Sequence, residues 1–307
     1  MSDRSDAGQG GTVLITGGNG FLGKALSRAL LGQGRSIVSL DVAAADDPVP
    51  GVVQEVGDIL DLDGVCSMAE RHGIGAIVHL AAMVIPACKA NPVKGAEVNV
   101  IGHINLLETA RRLGISHFLY TSSVAARPRG PFDSPVNLYG VYKRCCEDIS
   151  KIWYLDHGIP SVGLRPNVVY GPGRELGETA AITLAIRAAA QGESYRMPFA
   201  GAMCFQYVDE VTDIMVRCLG VEPEGPVVSD LTTRAETIDD VLAAIRAIAP
   251  EADITPSANT RPAPPELDNT ALNNLIGEWL PVSLQQGVRR TFEYYQSHYG
   301  AAGELPS

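Results

Sequence analysis

The sequence predicts an α/β fold, a Rossmann-type doubly wound parallel sheet with a smaller C-terminal domain. Three observations predict it. Short apolar runs alternate with helix-forming runs from residue 12 to residue 121. The first apolar run ends in the glycine cluster Gly17-x-x-Gly20-x-x-Gly23. Beyond Gly171 the alternation weakens. Parallel strands need long, usually helical crossovers, so this order of elements selects a parallel sheet over a sandwich or a meander.

Residues 12–16 form the first strand, which must turn sharply into a helix that includes residues 25–31. Gly17 permits the turn, Gly20 lets a ligand approach the backbone, and Gly23 lets the helix pack tightly on the sheet. Asn19, Phe21 and Leu22 complete this loop. The unpaired N–H groups at the start of such a helix suit the pyrophosphate of a dinucleotide. The first gap is one residue longer than in the usual Gly-x-Gly spacing, so the neighbouring elements must support the reading. Gly32 and Gly34 end the helix, and residues 36–40 form a second strand leading into Asp41, placed where an acid binds the adenosine ribose. Residues 52–56 form a third strand ending in Gly57-Asp58, which places Asp58 to meet the adenine edge, with Ile59 beside it as a further candidate cofactor contact. Helical spacing over 60–72 precedes a fourth strand at 76–80. Leu80, Ala81 and Ala82 then offer close backbone approach to a cofactor. His79 lies inside this apolar strand and is expected to be a core residue. A long helix over 92–113 carries Asn99, and a fifth strand at 117–121 delivers Ser122 and Ser123.

After a loop rich in Pro and Gly, a helix beginning at Asn137 carries Tyr139 and Lys143. Residues four apart share a helix face, so both side chains can meet one nicotinamide ribose. Tyr139 alone among the ten tyrosines has a lysine four residues later; the rival Tyr142 has Cys146 there. A phenol with an ordinary pKa near ~10 is a poor base at neutral pH, and a neighbouring ammonium favours its phenolate. Tyr139 is therefore the candidate proton acceptor.

A net charge of −11 argues against a nucleic-acid or anionic-membrane surface, both of which need clustered Lys and Arg. No apolar run reaches transmembrane length, and the polar first ten residues are unlike a secretory signal, so a cytoplasmic protein is expected. The six cysteines have no metal-ligand spacing. Free, mostly buried thiols and no metal site are expected. The domain expectation is a disordered tail at 1–10, a dinucleotide-binding domain at 11–170, a mainly substrate-binding domain at 171–300 with segments returning to the first, and a disordered tail at 301–307. Within the second part the pattern suggests a loop and Ala-rich helix over 174–191, a short strand over 194–199, an amphipathic helix over 236–248 and a proline-rich connector over 256–265.

At this point the chain resembles the extended short-chain dehydrogenase/reductase family, specifically its NAD-dependent epimerase/dehydratase group. The resemblance runs from Gly11 to Gly300 and rests on motifs in the right order: the glycine cluster, Gly57-Asp58, His-Leu-Ala-Ala at 79–82, Asn99-Val-Ile-Gly and Thr-Ser-Ser at 121–123. Tyr139 with Lys143, Leu-Arg-Pro-Asn-Val-Val-Tyr-Gly-Pro-Gly at 164–173, Tyr-Val-Asp-Glu-Val at 207–211, Asp268 and Gly-Glu-Trp-Leu-Pro at 277–281 complete it. The resemblance implies NAD as cofactor, Tyr139 as general acid/base, Lys143 holding the nicotinamide ribose, and Ser123 bonding the reacting hydroxyl or carbonyl, with Ser122 as runner-up. Asp41 without a following cation matches the NAD pattern rather than NADP. It also implies pairing of the helices around Asn99 and Tyr139 in a homodimer.

Two departures narrow the implied chemistry. Val124 and Ala125 stand where family dehydratases carry an Asp-Glu pair, which disfavours elimination of water. Val168 and Met203 stand where nucleotide-sugar members commonly hold a diphosphate with Asn and Arg. Candidate substrate contacts are Met83, Val84, Val124, Asn167, Arg174, Gln206 and Arg261. The expected activity is NAD-dependent oxidation or epimerisation at a secondary hydroxyl of a sugar or sugar-like substrate. A conventional nucleotide-sugar 4-epimerase and a non-catalytic NAD sensor are the alternatives.

Overall fold

The computed structural model describes residues 11–231, 234–261 and 266–299. Both expected tails, 1–10 and 301–307, and the end of the proline-rich connector, 262–265, lie outside the described residues. The chain divides into two compact units. Among the described residues the first comprises 11–166, 212–231 and 268–278, and the second 167–211, 234–261, 266–267 and 279–299.

The first unit is built on seven strands: β1 (Thr12–Thr16), β2 (Ile37–Asp41), β3 (Val53–Val56), β4 (Ile74–His79), β5 (His117–Thr121), β6 (Val162–Arg165) and β7 (Val227–Asp230). Their order is β7-β6-β5-β4-β1-β2-β3, and every pairing is parallel. The order reverses between β1 and β4, and such a switch point leaves a crevice at the carboxyl ends of those two strands. The central strands are Val-, Ile- and Leu-rich and buried, as a sheet covered on both faces requires. The main helices are α1 (Phe21–Leu31), α2 (Leu62–Arg71), α3 (Gly102–Leu113) and α4 (Leu138–His157). Leu14, Val38, Ile77, Phe118 and Tyr120 of the sheet share one core cluster with Val65, Met68, Leu106 and Leu107 of α2 and α3.

Several boundaries move for local reasons. The helix expected over 60–72 starts at Leu62 because the Asp61 carboxylate accepts from the Gly64 N–H at 3.1 Å and caps it. The helix expected over 92–113 is interrupted: Pro92–Ala96 is α-helical, Glu97–Ile101 forms a π-helical turn that contains Asn99, and α3 follows. A short helix, Ile85–Ala90, precedes it. Asn137 caps α4 by accepting from Gly140 N–H at 2.9 Å.

The second unit holds a three-stranded sheet ordered Ala235–Thr237, Ala202–Tyr207, Val168–Tyr170, and a parallel pair of Tyr195–Arg196 with Ile254–Thr255. The strand expected over 194–199 shrinks to that two-residue piece. The amphipathic helix starts at Ile238, where Thr237 and Asp240 form a capping box. Two sequence motifs join here: the buried Glu210 carboxylate accepts from Trp279 Nε1 at 3.1 Å and from Val282 N–H at 3.0 Å. Among the described residues no helix is long and apolar enough to cross a membrane.

Candidate active site

The glycine loop between β1 and α1 is shaped by backbone contacts. Gly17 has φ +68°, a left-handed value, and a Cβ there would stand 2.7 Å from the Ala81 nitrogen. A Cβ at Gly23 would stand 2.6 Å from the Gly17 carbonyl oxygen. Gly20 caps α1 without any side-chain bond, and a Cβ there would meet only that same oxygen, at 3.2 Å. Gly18, absent from the sequence-derived set, is equally constrained: its Cβ would fall 2.2 Å from Ser39 Oγ. The doubled glycine was the signal available for it.

At the end of β2 the Asp41 carboxylate accepts from Asn19 N–H at 3.2 Å and from Val42 N–H at 2.9 Å. The Asn19 side chain accepts from Ser39 Oγ at 3.2 Å and donates to the Ala43 carbonyl at 2.7 Å, so the loop and the strand end are tied together. Phe21 and Leu22, partly buried, begin α1. Gly57 N–H bonds the Asp41 carbonyl at 2.9 Å and brings the end of β3 alongside. Asp58 accepts from Leu60 N–H at 3.0 Å, and buried Ile59 fits against Gly102, where a Cβ would lie 2.4 Å from its Cδ1. At the end of β4, Leu80 N–H bonds the Thr16 carbonyl at 3.0 Å, and Thr16 Oγ1 meets His79 Nδ1 at 2.8 Å. His79 is 2% exposed, the core residue expected. Ala82 and Met83 continue from there, partly buried. Asn99 works from behind: its amide accepts from Met83 N–H at 3.1 Å and donates to the Met83 carbonyl at 3.0 Å. Asn99 lies within the π-helical turn Glu97–Ile101, a kind of irregularity frequent at functional sites.

These residues fit a dinucleotide. The cradle at Gly17, Gly18 and Gly23 has no room for side chains, the start of α1 offers N–H groups without a side-chain cap, and Asp41 presents an acceptor. The nearest cation on α1, Lys24, is ion-paired with Asp47, and positions 42 and 43 are Val and Ala.

On α4, Lys143 is 3% exposed, donates from Nζ to the Thr121 carbonyl at 2.7 Å, and lies 5.8 Å from the Tyr139 ring centroid. Burial pulls its ammonium below the ordinary lysine range, while Cys146, Cys88 and Glu147 pull the other way. Tyr139 is partly buried. Its neighbour Gly140 lies against the 3-10 turn Val124–Ala126: a Cβ there would stand 2.1 Å from the Ala125 carbonyl oxygen. Ser123 opens that turn, its Oγ accepting from Ala125 N–H at 3.1 Å. Ser122 is differently placed. It is 1% exposed and its hydroxyl donates to the Glu147 carboxylate.

Of the substrate candidates, Met83, Val84 and Val124 belong to the first unit; Val84 is 47% exposed and Val124 is buried. Asn167, Arg174, Gln206 and Arg261 belong to the second unit. There Asn167 N–H donates to Gln206 Oε1 at 2.9 Å, Arg174 donates to Thr179 Oγ1 at 3.3 Å, and the Arg261 guanidinium lies 4.4 Å from the Phe199 ring centroid. Asn167 and Gln206 are thus brought together. The described cysteines are free, and no group of His, Cys, Asp or Glu among the described residues has the arrangement of a metal site.

Comparison with known proteins identifies the family and the fold. The profile of the NAD dependent epimerase/dehydratase family matches residues 13–228. UDP-glucose 4-epimerase of Mycolicibacterium smegmatis is 27% identical over 313 aligned residues, which cover 93% of this chain and 98% of its own. Among solved structures, L-threonine dehydrogenase of Clostridium difficile matches with a TM-score of 0.83 at 19% identity, covering 94% of this chain and 98% of its own. UDP-glucose 4-epimerase of Thermotoga maritima, solved with UDP-glucose, matches with a TM-score of 0.81 at 22% identity, covering 94% and 99%. At these identities the solved structures speak for the fold.

Proposed function

The chain belongs to the NAD dependent epimerase/dehydratase family, and from that premise we propose an NAD-dependent oxidoreductase or epimerase that acts on a secondary hydroxyl of a sugar or sugar-like substrate. The observation that carries the reading is the placement of Tyr139 and Lys143 on one face of α4, with the lysine bonded to the end of β5 at the Thr121 carbonyl, 2.7 Å away. NAD, when bound, supplies the hydride acceptor and donor. The chain's own residues handle the proton. Ser123 holds the reacting oxygen, Tyr139 takes the hydroxyl proton, and Lys143, fixed by its bond to Thr121, places a positive charge beside the phenol and favours its ionised form. Gly17, Asn19, Gly20, Gly23, Asp41 and Asp58 hold the dinucleotide.

Two outcomes share this proton transfer: a dehydrogenase releases the ketone, and an epimerase retains it and reduces it from the other face. Val124 and Ala125, both buried and apolar, offer no acid or base for eliminating water. The reading also includes a homodimer formed through α3 and α4, and a cytoplasmic location, which the free thiols suit.

The test incubates purified protein with NAD and a panel of free sugars, sugar acids, L-threonine and nucleotide sugars. Net NADH indicates a dehydrogenase, and product without net NADH an epimerase. Saturable NAD binding with no turnover across the panel would favour the sensor.

A further inference from the structure

Tyr139, Lys143 and Glu147 recur every four residues on α4, so one helix face presents all three. That face runs along the end of β5. Lys143 bonds the Thr121 carbonyl, and one turn on, Glu147 takes the hydroxyl of the next residue, Ser122. The backbone of Ser122 is held as well, its N–H bonding the Leu164 carbonyl at 2.7 Å. Ser123 follows in extended conformation, with φ −164°, and opens the turn that Gly140 packs against.

Glu147 is fully buried and would be costly as a lone charge. It is neutralised by Arg165, whose Nε donates to it at 2.6 Å and whose second guanidinium nitrogen takes its other oxygen. Arg165 reaches toward the equally buried Asp230 at 3.6 Å, and Asp230 is gripped by Arg127 through two nitrogens and by the Asp268 N–H at 2.9 Å. Two carboxylates and two guanidinium groups alternate, so the network is neutral overall. It links α4, β6 and β7 with the segment after β5 that carries Ser123.

From this geometry we infer that Ser122 and Glu147 are positioning residues: the Ser122–Glu147 bond, anchored by Arg165 and Asp230, fixes the register of the β5 end against α4 and thereby sets Ser123 opposite Tyr139. Glu147 touches neither substrate nor cofactor in this role. The inference rests on the reading that Ser123 and Tyr139 act on the substrate hydroxyl. A misplacement of about 1 Å in such a pair costs on the order of a hundredfold in rate.

Ser122→Ala is the informative variant, because Glu147→Ala would strip the partly buried Arg165 of its bidentate partner and threaten folding, whereas loss of the Ser122 hydroxyl leaves all four charges paired. The experiment compares Ser122→Ala with the wild-type chain, both loaded with NAD, on whichever panel substrate turns over, with amide hydrogen exchange as a readout that needs no substrate. The expected result is a kcat lower by roughly 10- to 100-fold, KM and NAD affinity within about twofold of wild type, and faster exchange confined to residues 121–127. Unchanged kcat, or unchanged exchange in that segment, would overturn the inference. So would a kcat loss accompanied by faster exchange across the whole sheet, since that signals a merely structural role. Tyr139→Phe run in parallel separates the two levels. If that variant stays active, the reading of the reaction fails; if it is inactive while Ser122→Ala is indistinguishable from wild type, only the positioning role fails.

Discussion

A single missing side chain sets how closely α4 can approach the segment that carries Ser123. At Gly140 any Cβ would meet the Ala125 carbonyl oxygen at 2.1 Å, and the obstacle is backbone, which cannot swing away as a flexible side chain can. Replacing Gly140 by Ala should gain about 1 kcal/mol of helix propensity. It should lose more to overpacking, about 1–3 kcal/mol, because the helix or the turn must move. The expected outcome is a lower urea midpoint with an unchanged m-value, and turnover reduced beyond what the unfolded fraction explains. A Gly140→Ala variant as stable as wild type would mean that the turn yields without cost. This contact could not be read from the sequence, where Gly140 is merely the residue after Tyr139. The spacing of Tyr139 and Lys143 was legible because four residues make one helical turn. The partner of Lys143, the Thr121 carbonyl, lies 22 residues away and is visible only when β5 and α4 are packed together.

At the scale of elements, β4 and α3 carry two buried histidines that make stability depend on pH. His79 and His103 are 2% and 1% exposed, and their rings lie 5.5 Å apart. Burial is the largest cause of both shifts. It holds His79 well below the ordinary imidazole range and takes His103 to about 3, with the Lys143 charge adding to each. In the unfolded chain both titrate near the ordinary ~6.5, so between that value and the folded values the unfolded state binds more protons. Stability is therefore full above about pH 6.5 and falls as the pH drops, by about 1.4 kcal/mol per pH unit for each histidine. His117, lowered by partial burial, acts in the same direction, whereas the raised carboxyls of Glu210 and Glu236 act against it as they take up protons in the folded state. Denaturant unfolding at pH 7, 6 and 5 should show the decline, and His103→Gln, whose amide can replace the bond between His103 Nε2 and Ser150 Oγ (2.9 Å), should flatten it. A wild-type curve that stays level from pH 7 to 5 would contradict the argument. The elements were largely legible, because alternation and glycine punctuation are local signals. The π-turn at 97–101 and the shortened strands were not, since they depend on which long-range partners the segment finds.

At the scale of the whole molecule, an exposed apolar face bears on assembly. Along α4 the residues Leu138, Val141, Ile152 and Leu155 are exposed, the last at 74%, and Ile101 is exposed just before α3. The α4 residues recur at near-helical intervals and make an apolar stripe of the kind that marks association. Sedimentation at micromolar concentration should find a dimer, and Ile152→Glu should return it to a monomer. A monomeric wild-type chain would remove the dimer from the reading.

The substrate prediction is that no nucleotide diphosphate is bound tightly. Such a group carries about two negative charges into a protein whose net charge is already −11, and it needs donors to offset its desolvation. Val168 and Met203 occupy the positions at which the family resemblance leads one to look for Asn and Arg; both are buried in strands of the second unit, at 3% and 5% exposure. Neither side chain can donate. Each missing charge-assisted hydrogen bond forfeits roughly 1.5 to 3 kcal/mol, and two together weaken binding by roughly a hundredfold or more. Arg174 and Arg261 are the cations that could serve instead. Arg261, however, is stacked on Phe199, so recruiting it would cost that contact. Calorimetry in saturating NAD should therefore find UDP-glucose, TDP-glucose and GDP-mannose binding no better than millimolar, with a free sugar or sugar acid from the panel binding more tightly. Micromolar binding of any of the three would restore the nucleotide-sugar 4-epimerase reading and direct attention to Arg174 and Arg261. Their replacement by Gln should then weaken diphosphate binding while leaving NAD affinity unchanged.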